Sequence, residues 1–206
     1  MSDPVKLAII YYSSTGTTDA MARQAAAAAE KAGADVRLRH VAETAPREAV
    51  ESQDAWREHV DRLAEEPTAE PEDVVWADAV IFGSPTRFGN VSSQLKQFLD
   101  ALGPQWGEGL LADKTYAGFT SAQTAHGGHE STLLALYNTL HHFGGILVAP
   151  GYTDPVKFVD GNPYGVSHAT GADNDEPLGD AEDDALAHLA ERIVTVTGQL
   201  KRGREA

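Results

Sequence analysis

The 206-residue sequence contains no cysteine, so it has neither a disulfide framework nor a thiolate that could act as a nucleophile. It has no apolar run long enough to cross a bilayer, and its first residues, MSDPVK, lack the pattern of a signal peptide. The chain is nevertheless long enough to bury a sizeable core. Together these features predict a soluble cytoplasmic protein with no membrane-embedded part.

Basic residues are also scarce, with 16 against 31 acidic residues and a formal net charge of −15. The acids are concentrated in two segments: residues 41–78 contain 12 acids and 3 bases, and residues 171–206 contain 9 acids and 4 bases. Because no basic stripe could neutralise phosphates, the sequence argues against nucleic-acid binding. We interpret the acidity as a source of solubility.

Apolar, strand-like segments alternate with helical patterns, which predicts an α/β fold with a parallel sheet and helices on both faces. An acidic insertion at about 41–75, with one helix near 53–65, and a Gly-, Pro- and Asp-rich excursion at about 152–180 interrupt an otherwise single domain over residues 1–206. The excursion is either ordered or a flexible lid. The predicted strands are LAIIYY, ADVRLRHV, ADAVIFGSP, KTYAGFTSA and GGILVAPGY, and the other predicted helices cover 18–32, 91–102, about 130–142 and about 180–200.

Polar, glycine-containing loops follow three of these strands, at 13–18, 84–90 and 121–128. Ligands in doubly wound sheets bind beyond the carboxyl ends of the strands, so we expect the three loops to meet at one site. Their convergence is a stronger indication of a binding site than any single loop.

The first loop, SSTGTT, lies where a strand turns into a helix, and it contains five hydroxyl side chains, one glycine and no cation. A helix N-terminus offers free N–H groups and a partial positive charge, which suits a phosphate. The loop lacks the lysine of a nucleoside-triphosphate loop and the three glycines of a dinucleotide loop. It therefore indicates a phosphate monoester held by hydroxyls and amides, and the alternative is an ordinary Thr-capped helix.

SSTGTT resembles the phosphate loop of flavodoxin-like proteins. The segments GSPTRFGNVSSQLKQFLD, TSAQTAHGGHEST and HHFGG, together with Trp106, closely resemble the WrbA family of NAD(P)H:quinone oxidoreductases, and PGY and GNPYGVS extend the resemblance over most of residues 5–170. It implies a flavodoxin-like, five-stranded sheet of order 2-1-3-4-5, bound FMN, and NADH or NADPH as electron donor. It also implies a quinone acceptor, two-electron ping-pong turnover and a homotetramer.

The resemblance also implies roles for individual residues, none of which is a covalent nucleophile. His142 lies near the flavin ring in the family, with His141 as the alternative here, and Trp106 and Thr15 lie on the substrate side. The family often has an aromatic residue at the position of Thr15. The implied FMN-binding residues are His142 and three loops: Ser13, Ser14, Thr15, Gly16, Thr17 and Thr18; Pro85, Thr86, Arg87, Phe88 and Gly89; and Ser121, Ala122, Gln123, Thr124, Ala125, His126 and Gly127, ending at Gly128.

Several of these residues have a simpler interpretation. Arg87, the only cation between Val80 and Val91, either stabilises negative charge on reduced flavin or is a surface arginine paired with an acid. Phe88 and Trp106 are alternatively core residues, although the proline and glycines around Trp106 predict a non-helical loop position for this aromatic side chain, which needs burial somewhere. The histidine pairs at 126/129 and 141/142 suggest a metal, but no thiolate supports one and we expect none.

Two functions of other classes remain open at this point. One is a one-electron carrier like ordinary flavodoxin, whose acidic surface docks a basic redox partner. The other is an interaction or adaptor protein that has kept the fold. The additional residues around Trp106 and in the excursion argue against a simple carrier.

Overall fold

The computed structural model describes residues 3–205, which form one parallel sheet with helices on both faces. The strands are β1 (Lys6–Tyr11), β2 (Asp35–His40), β3 (Ala79–Pro85), β4 (Thr115–Ala122), β5 (Ile146–Leu147) and β6 (Val166–Ala169). The helices are α1 (Thr17–Lys31), α2 (Arg47–Glu51), α3 (Asp54–Leu63), α4 (Pro71–Trp76), α5 (Ser93–Ala101), α6 (Gly103–Gly107), α7 (His129–His142), α8 (Lys157–Asp160) and α9 (Asp180–Glu205).

The strand order is β2-β1-β3-β4-β5, so the predicted order 2-1-3-4-5 is confirmed, but the sheet has a sixth strand. Two short strands share one side of β4: β5 pairs with its first residues, Thr115 and Tyr116, and β6 pairs with its last four. The excursion leaves the sheet between them, because Pro150 lacks an N–H group for pairing and Gly151 turns the chain at a φ of 55°. The predicted strand GGILVAPGY is therefore shorter than expected.

The core lies in two layers, one on each side of the sheet. Alternate residues of β1 face opposite layers, with Leu7 and Ile9 toward α1 and α9 and Ala8 and Ile10 toward α5 and α7. This double burial explains the continuous apolar run in the sequence. In α1 the alanines, including the fully buried Ala25, form part of the first layer and let that helix pack closely against the sheet.

Two local predictions were wrong. The insertion contains α2, α3 and α4, where one helix near 53–65 was expected; α3 is that helix. Trp106 was expected outside a helix, but it belongs to α6. Pro104 stands in the first turn of that helix, where a missing N–H costs nothing. The N–H of Trp106 donates to Leu102 O at 2.9 Å. The excursion contains α8 and β6.

Within residues 3–205, the helices are all too short or too polar to span a bilayer.

Candidate functional site

The three polar loops meet beyond the carboxyl ends of β1, β3 and β4, as expected for this topology. They surround a cavity of about 660 Å³ that opens to solvent. The cavity is lined by Ser13, Ser14, Thr15, Thr17, Thr18, Gln53, Pro85, Thr86, Arg87, Ser121, Ala122, Gln123, Thr124, Gly127, Thr170 and Asn174.

The first loop wraps the N-terminus of α1 through Gly16, which has a φ of 112° that side-chain-bearing residues rarely adopt. Its N–H donates to Ser13 Oγ at 3.0 Å, which closes the loop on itself. Among the residues that the structure describes, no side chain caps α1, so the alternative of an ordinary Thr-capped helix does not describe this end. The first N–H groups of α1 have no partner within the helix and remain available to a ligand, beside the hydroxyls of Thr15 and Thr17.

Hydrogen bonds connect the three loops to one another. The N–H of Thr86 donates to Ser121 O at 2.8 Å, and the hydroxyls of Thr18 and Ser121 lie 3.3 Å apart. Arg87 Nη2 donates to Ser14 Oγ at 3.4 Å. These contacts hold the loops in a fixed arrangement around the cavity.

The second loop ends in a tight turn closed by reciprocal backbone bonds between Arg87 and Asn90. Phe88 and Gly89 occupy its centre with φ values of 54° and 77°, and the Phe88 side chain is fully exposed. Phe88 is therefore not a core residue, and a bulky side chain with positive φ is uncommon outside functional sites. The turn packs on the third loop, since a Cβ on Gly128 would lie 3.1 Å from Gly89 Cα.

Arg87 is the single charged residue among the described side chains that line the cavity. Its guanidinium donates to Thr86 O and Ser14 Oγ, and within residues 3–205 it forms no salt bridge. The alternative of a surface arginine paired with an acid is therefore not what the structure shows. The positive charge is directed toward the cavity loops, where an anionic ligand group would be stabilised.

Trp106 and His142 lie away from this cavity. They contact each other, the indole N–H donating to the His142 carbonyl at 2.8 Å, and the Trp106 side chain is 56% exposed. Trp106, in α6, comes after α5, and His142 is the last residue of α7; α5 and α7 both begin at the cavity edge of the sheet and end at its opposite edge, where His141 is also exposed. In the third loop, Ala125 and His126 are exposed and do not line the cavity.

Sequence reasoning missed three residues that line the cavity: Gln53, Thr170 and Asn174. Gln53 precedes α3 in the insertion, and the other two follow β6 in the excursion. Nothing in their local sequence marked them, because their place depends on how two long segments return to the sheet.

A charged cluster behind the first loop was also missed. The buried carboxylate of Asp19 accepts hydrogen bonds from Tyr11 Oη, Arg23 Nε and Arg62 Nη2. Burial and the Asp19 carboxylate together raise the pKa of Tyr11 well above its usual range, so its hydroxyl remains a donor. Burial, together with the adjacent Arg62 guanidinium, lowers the pKa of His59. A Cβ on Gly16 would lie 3.4 Å from Arg62 Nη2, so α3 packs directly against the loop.

The cavity fits FMN in its volume and in the chemistry of its donors. Ligand cavities for molecules of this size measure roughly 300–1,000 Å³. Hydroxyls and free amides gather at the α1 end, which suits a phosphate, whereas the loops that include Pro85 and Gly127 form the other end and suit a flat ring. Within residues 3–205, no group of three or more acidic or histidine side chains could hold a metal ion.

Comparison with known proteins gives relatives over almost the whole chain. The family described as NADPH-dependent FMN reductase matches residues 5–154. A protein of Deinococcus radiodurans called NAD(P)H dehydrogenase (quinone) is 48% identical over 201 residues, covering 97% of this chain and 99% of the relative. A protein of Aromatoleum aromaticum with the same name is 37% identical, covering 98% of this chain and 100% of the relative.

Among solved structures, the flavodoxin-like, WrbA-like protein of Agrobacterium tumefaciens superimposes with a TM-score of 0.66 at 24% identity. The match covers 95% of this chain and 98% of the other. At this identity the likeness concerns the fold, which is that of flavodoxin.

Proposed function

Because this chain belongs to the NADPH-dependent FMN reductase family, and within it to the relatives named NAD(P)H dehydrogenase (quinone), we propose that it is an FMN-dependent NAD(P)H:quinone oxidoreductase. The observation that carries the proposal is the cavity formed by the three loops, which joins the hydroxyl-rich start of α1 to the loops that begin at Pro85 and Ser121 and whose single charged lining residue, among those described, is Arg87. When bound there, FMN supplies the redox chemistry that the protein's own side chains lack.

The protein's contribution is binding, orientation and electrostatics. Ser13, Ser14, Thr15, Thr17 and Thr18, with the free amides of α1 and the turn at Gly16, hold the phosphate. The loops at 85–89 and 121–127 hold the ring edge, and Arg87 stabilises negative charge on it. No acid lines the cavity among the described residues, so nothing in the pocket opposes an anionic ligand.

The nicotinamide donor and the quinone use the same open side of the pocket in turn, which is the ping-pong scheme. The first experiment is an absorbance spectrum of the purified protein, followed by titration with NADH with and without a benzoquinone. We expect a yellow protein that NADH bleaches quickly and quinone restores. A protein that NADH reduces only very slowly would instead be a one-electron carrier, and a colourless protein that cannot be reconstituted with FMN would be an adaptor.

Steady-state kinetics tests whether the nicotinamide donor and the quinone bind in turn on the same side of the pocket. Initial rates at several fixed quinone concentrations should give parallel double-reciprocal lines. Intersecting lines would mean that both substrates bind together, and the ping-pong scheme would then be wrong.

The phosphate loop is tested by replacing Thr15 and Thr17 with valine, with Thr195→Val on the exposed face of α9 as the matched control. Each lost hydrogen bond to a charged group costs about 1.5–3 kcal/mol, so FMN affinity measured by fluorescence quenching should fall strongly without unfolding. Unchanged affinity would mean that this loop does not hold the phosphate.

We also propose a cytoplasmic homotetramer in which Trp106 and His142 serve the pocket of a neighbouring subunit. Both residues lie outside the cavity of their own chain, and Trp106 is a large aromatic side chain left half-exposed beside His142. Burial of such a side chain at an interface is favourable. Light scattering coupled to size exclusion, with activity measured on each species, should give a tetramer, and Trp106→Ala should lower both assembly and activity. A fully active monomer would contradict the tetramer and the roles proposed for Trp106 and His142.

A further inference from the structure

We propose that the side-chain amides of Gln53 and Asn174 are two further ligands of the FMN phosphate, an assignment that rests on the proposed function. They come from opposite flanks of α1: Gln53 directly precedes α3 in the insertion, and Asn174 lies in the turn after β6 in the excursion. Both line the 660 Å³ cavity, and both also line a groove of about 920 Å³ that adjoins it along α1.

The two cavities share four residues, and these locate the amides. The shared residues are Thr15, Thr17, Gln53 and Asn174. Since Thr15 and Thr17 flank Gly16 at the start of α1, both amides lie beside the phosphate end of the cavity, and Asn174 reaches it from a turn that also contacts the end of β4. They therefore close the phosphate loop from its two open sides.

Each amide has donors to spare. Asn174 Oδ1 accepts a hydrogen bond from Thr170 Oγ1 at 2.5 Å, and the N–H of Thr170 donates to Ala122 O at 2.8 Å, which ties this turn to the end of β4. The Asn174 Nδ2 donors are then left without a partner among the described residues. The Gln53 carbonyl accepts from Trp56 and Arg57 N–H groups, both at 3.1 Å, which fixes its backbone while its side-chain amide has no partner in residues 3–205.

At both positions the side chain that lines the cavity is neutral, although the surrounding sequence is acidic. Gln53 lies in a segment with 12 acids, and Asn174 stands between Asp173 and Asp175. Among the described residues of the insertion, Gln53 alone lines the 660 Å³ cavity, whereas Asp173 and Asp175 line only the groove. A phosphate accepts hydrogen bonds and repels carboxylates, so an amide at each point where an acidic segment reaches the cavity suits a phosphate ligand.

The test uses isosteric charge probes and two ligands that differ only in the phosphate. Gln53→Glu and Asn174→Asp keep the shape of each side chain and, for residue 174, a residue type that tolerates its φ of 59°. Gln199→Glu, on the exposed face of α9, makes the same chemical change elsewhere. The dissociation constants of FMN and riboflavin are measured for each apoprotein by flavin fluorescence, and folding is checked by circular dichroism.

We expect Gln53→Glu and Asn174→Asp each to weaken FMN binding about tenfold or more, because a donor to a charged group is replaced by a like charge. Riboflavin binding should stay unchanged in both variants, and Gln199→Glu should affect neither ligand. Equal loss of FMN and riboflavin affinity, or no loss of either, would overturn the assignment. If the unaltered protein does not bind FMN at all, the proposed function itself fails and the assignment falls with it.

Discussion

The insertion (residues 41–75) and the excursion (residues 152–180) flank the same helix, α1, but they are attached to the fold in different ways. The excursion places β6 in the sheet beside β4, and it contains the buried ion pair of Lys157 and Asp160. The insertion, residues 41–75, contributes no strand, and among its attachments are ion pairs whose arginines water reaches, Arg23–Glu66 and Arg62–Asp19.

The excursion is organised around a buried ion pair. Lys157 is fully buried and donates to the carboxylate of Asp160, whose side chain is 1% exposed, and to Gly165 O at 2.9 Å. Burial lowers the pKa of Lys157, and the Asp160 carboxylate opposes that shift. The buried His168 contacts Glu182 of α9, and its Nε2–H donates to Glu176 O at 2.9 Å.

The insertion is held by charged groups closer to solvent. Arg62, 59% exposed, reaches Asp19 at 3.3 Å, and Arg23 reaches Glu66 at 2.7 Å. Glu43 accepts hydrogen bonds from the side chains of Tyr12, Trp56 and Gln94, which joins the insertion to β1 and α5. Burial alone would raise the pKa of Glu43, but these bonds and one from the Ala45 N–H outweigh it and lower the pKa.

The comparison shows that the two segments flanking one site can differ in their sensitivity to salt. Salt weakens exposed charge pairs far more than buried ones. We therefore expect the insertion side of the pocket to loosen first as the salt concentration rises, while the excursion side keeps its structure.

The largest effect should come from Asp160→Asn. It leaves the Lys157 ammonium buried without its counter-charge, which costs about 3–5 kcal/mol of unfolding free energy. The paired replacement Lys157→Met with Asp160→Leu removes both charges and should recover most of that loss. Urea unfolding measures both, with the exposed Asp61→Asn as the matched control. A loss equal to that of the control would show that the excursion does not depend on this pair.

An intermediate effect is expected for Glu43→Gln, about 1–2 kcal/mol at pH 7, because a charged acceptor of several hydrogen bonds becomes neutral. The folded pKa of Glu43 lies below its ordinary value of 4.5, so its contribution is present above that pH and is lost as pH falls through the folded pKa. The stability gap between the two proteins should therefore narrow at acidic pH. A pH-independent gap in urea unfolding, with the exposed Glu65→Gln as reference, would contradict this account.

The smallest effect should come from Arg62→Gln. The arginine is more than half exposed, and Arg23 still pairs with Asp19 when Arg62 is lost, so the cost should remain below about 1 kcal/mol. Molar salt should abolish even that difference, because it screens exposed pairs. Thermal unfolding at low and high salt measures it, and Arg47→Gln serves as a control that has no contact with Asp19. A loss that persists in molar salt would mean that Arg62 acts by packing on Gly16.

The alternation of strands and helices and the three loops were predicted well, because they depend on residues that are near one another in the chain, whereas the sheet order came from the family resemblance. The apolar run of β1, the turn at Gly16 and the helix that follows are all local features. The prediction for Trp106 was wrong, since Pro104 is compatible with a first helical turn and the sequence does not say whether a turn continues from α5. Nothing in the local sequence indicated that two short strands, β5 and β6, share the place beside β4 where one strand was expected.

By itself, then, the sequence determined the α/β class, the cation-free, hydroxyl-rich first loop and the position of Arg87 in the second loop. Only the tertiary structure brought Gln53, Asn174 and Arg62 to α1 and sent Trp106 and His142 to the opposite edge of the sheet. The physical reason is distance along the chain. Turn and helix preferences act over a few residues, whereas the meeting of two segments separated by more than a hundred residues is decided by strand order, helix length and packing.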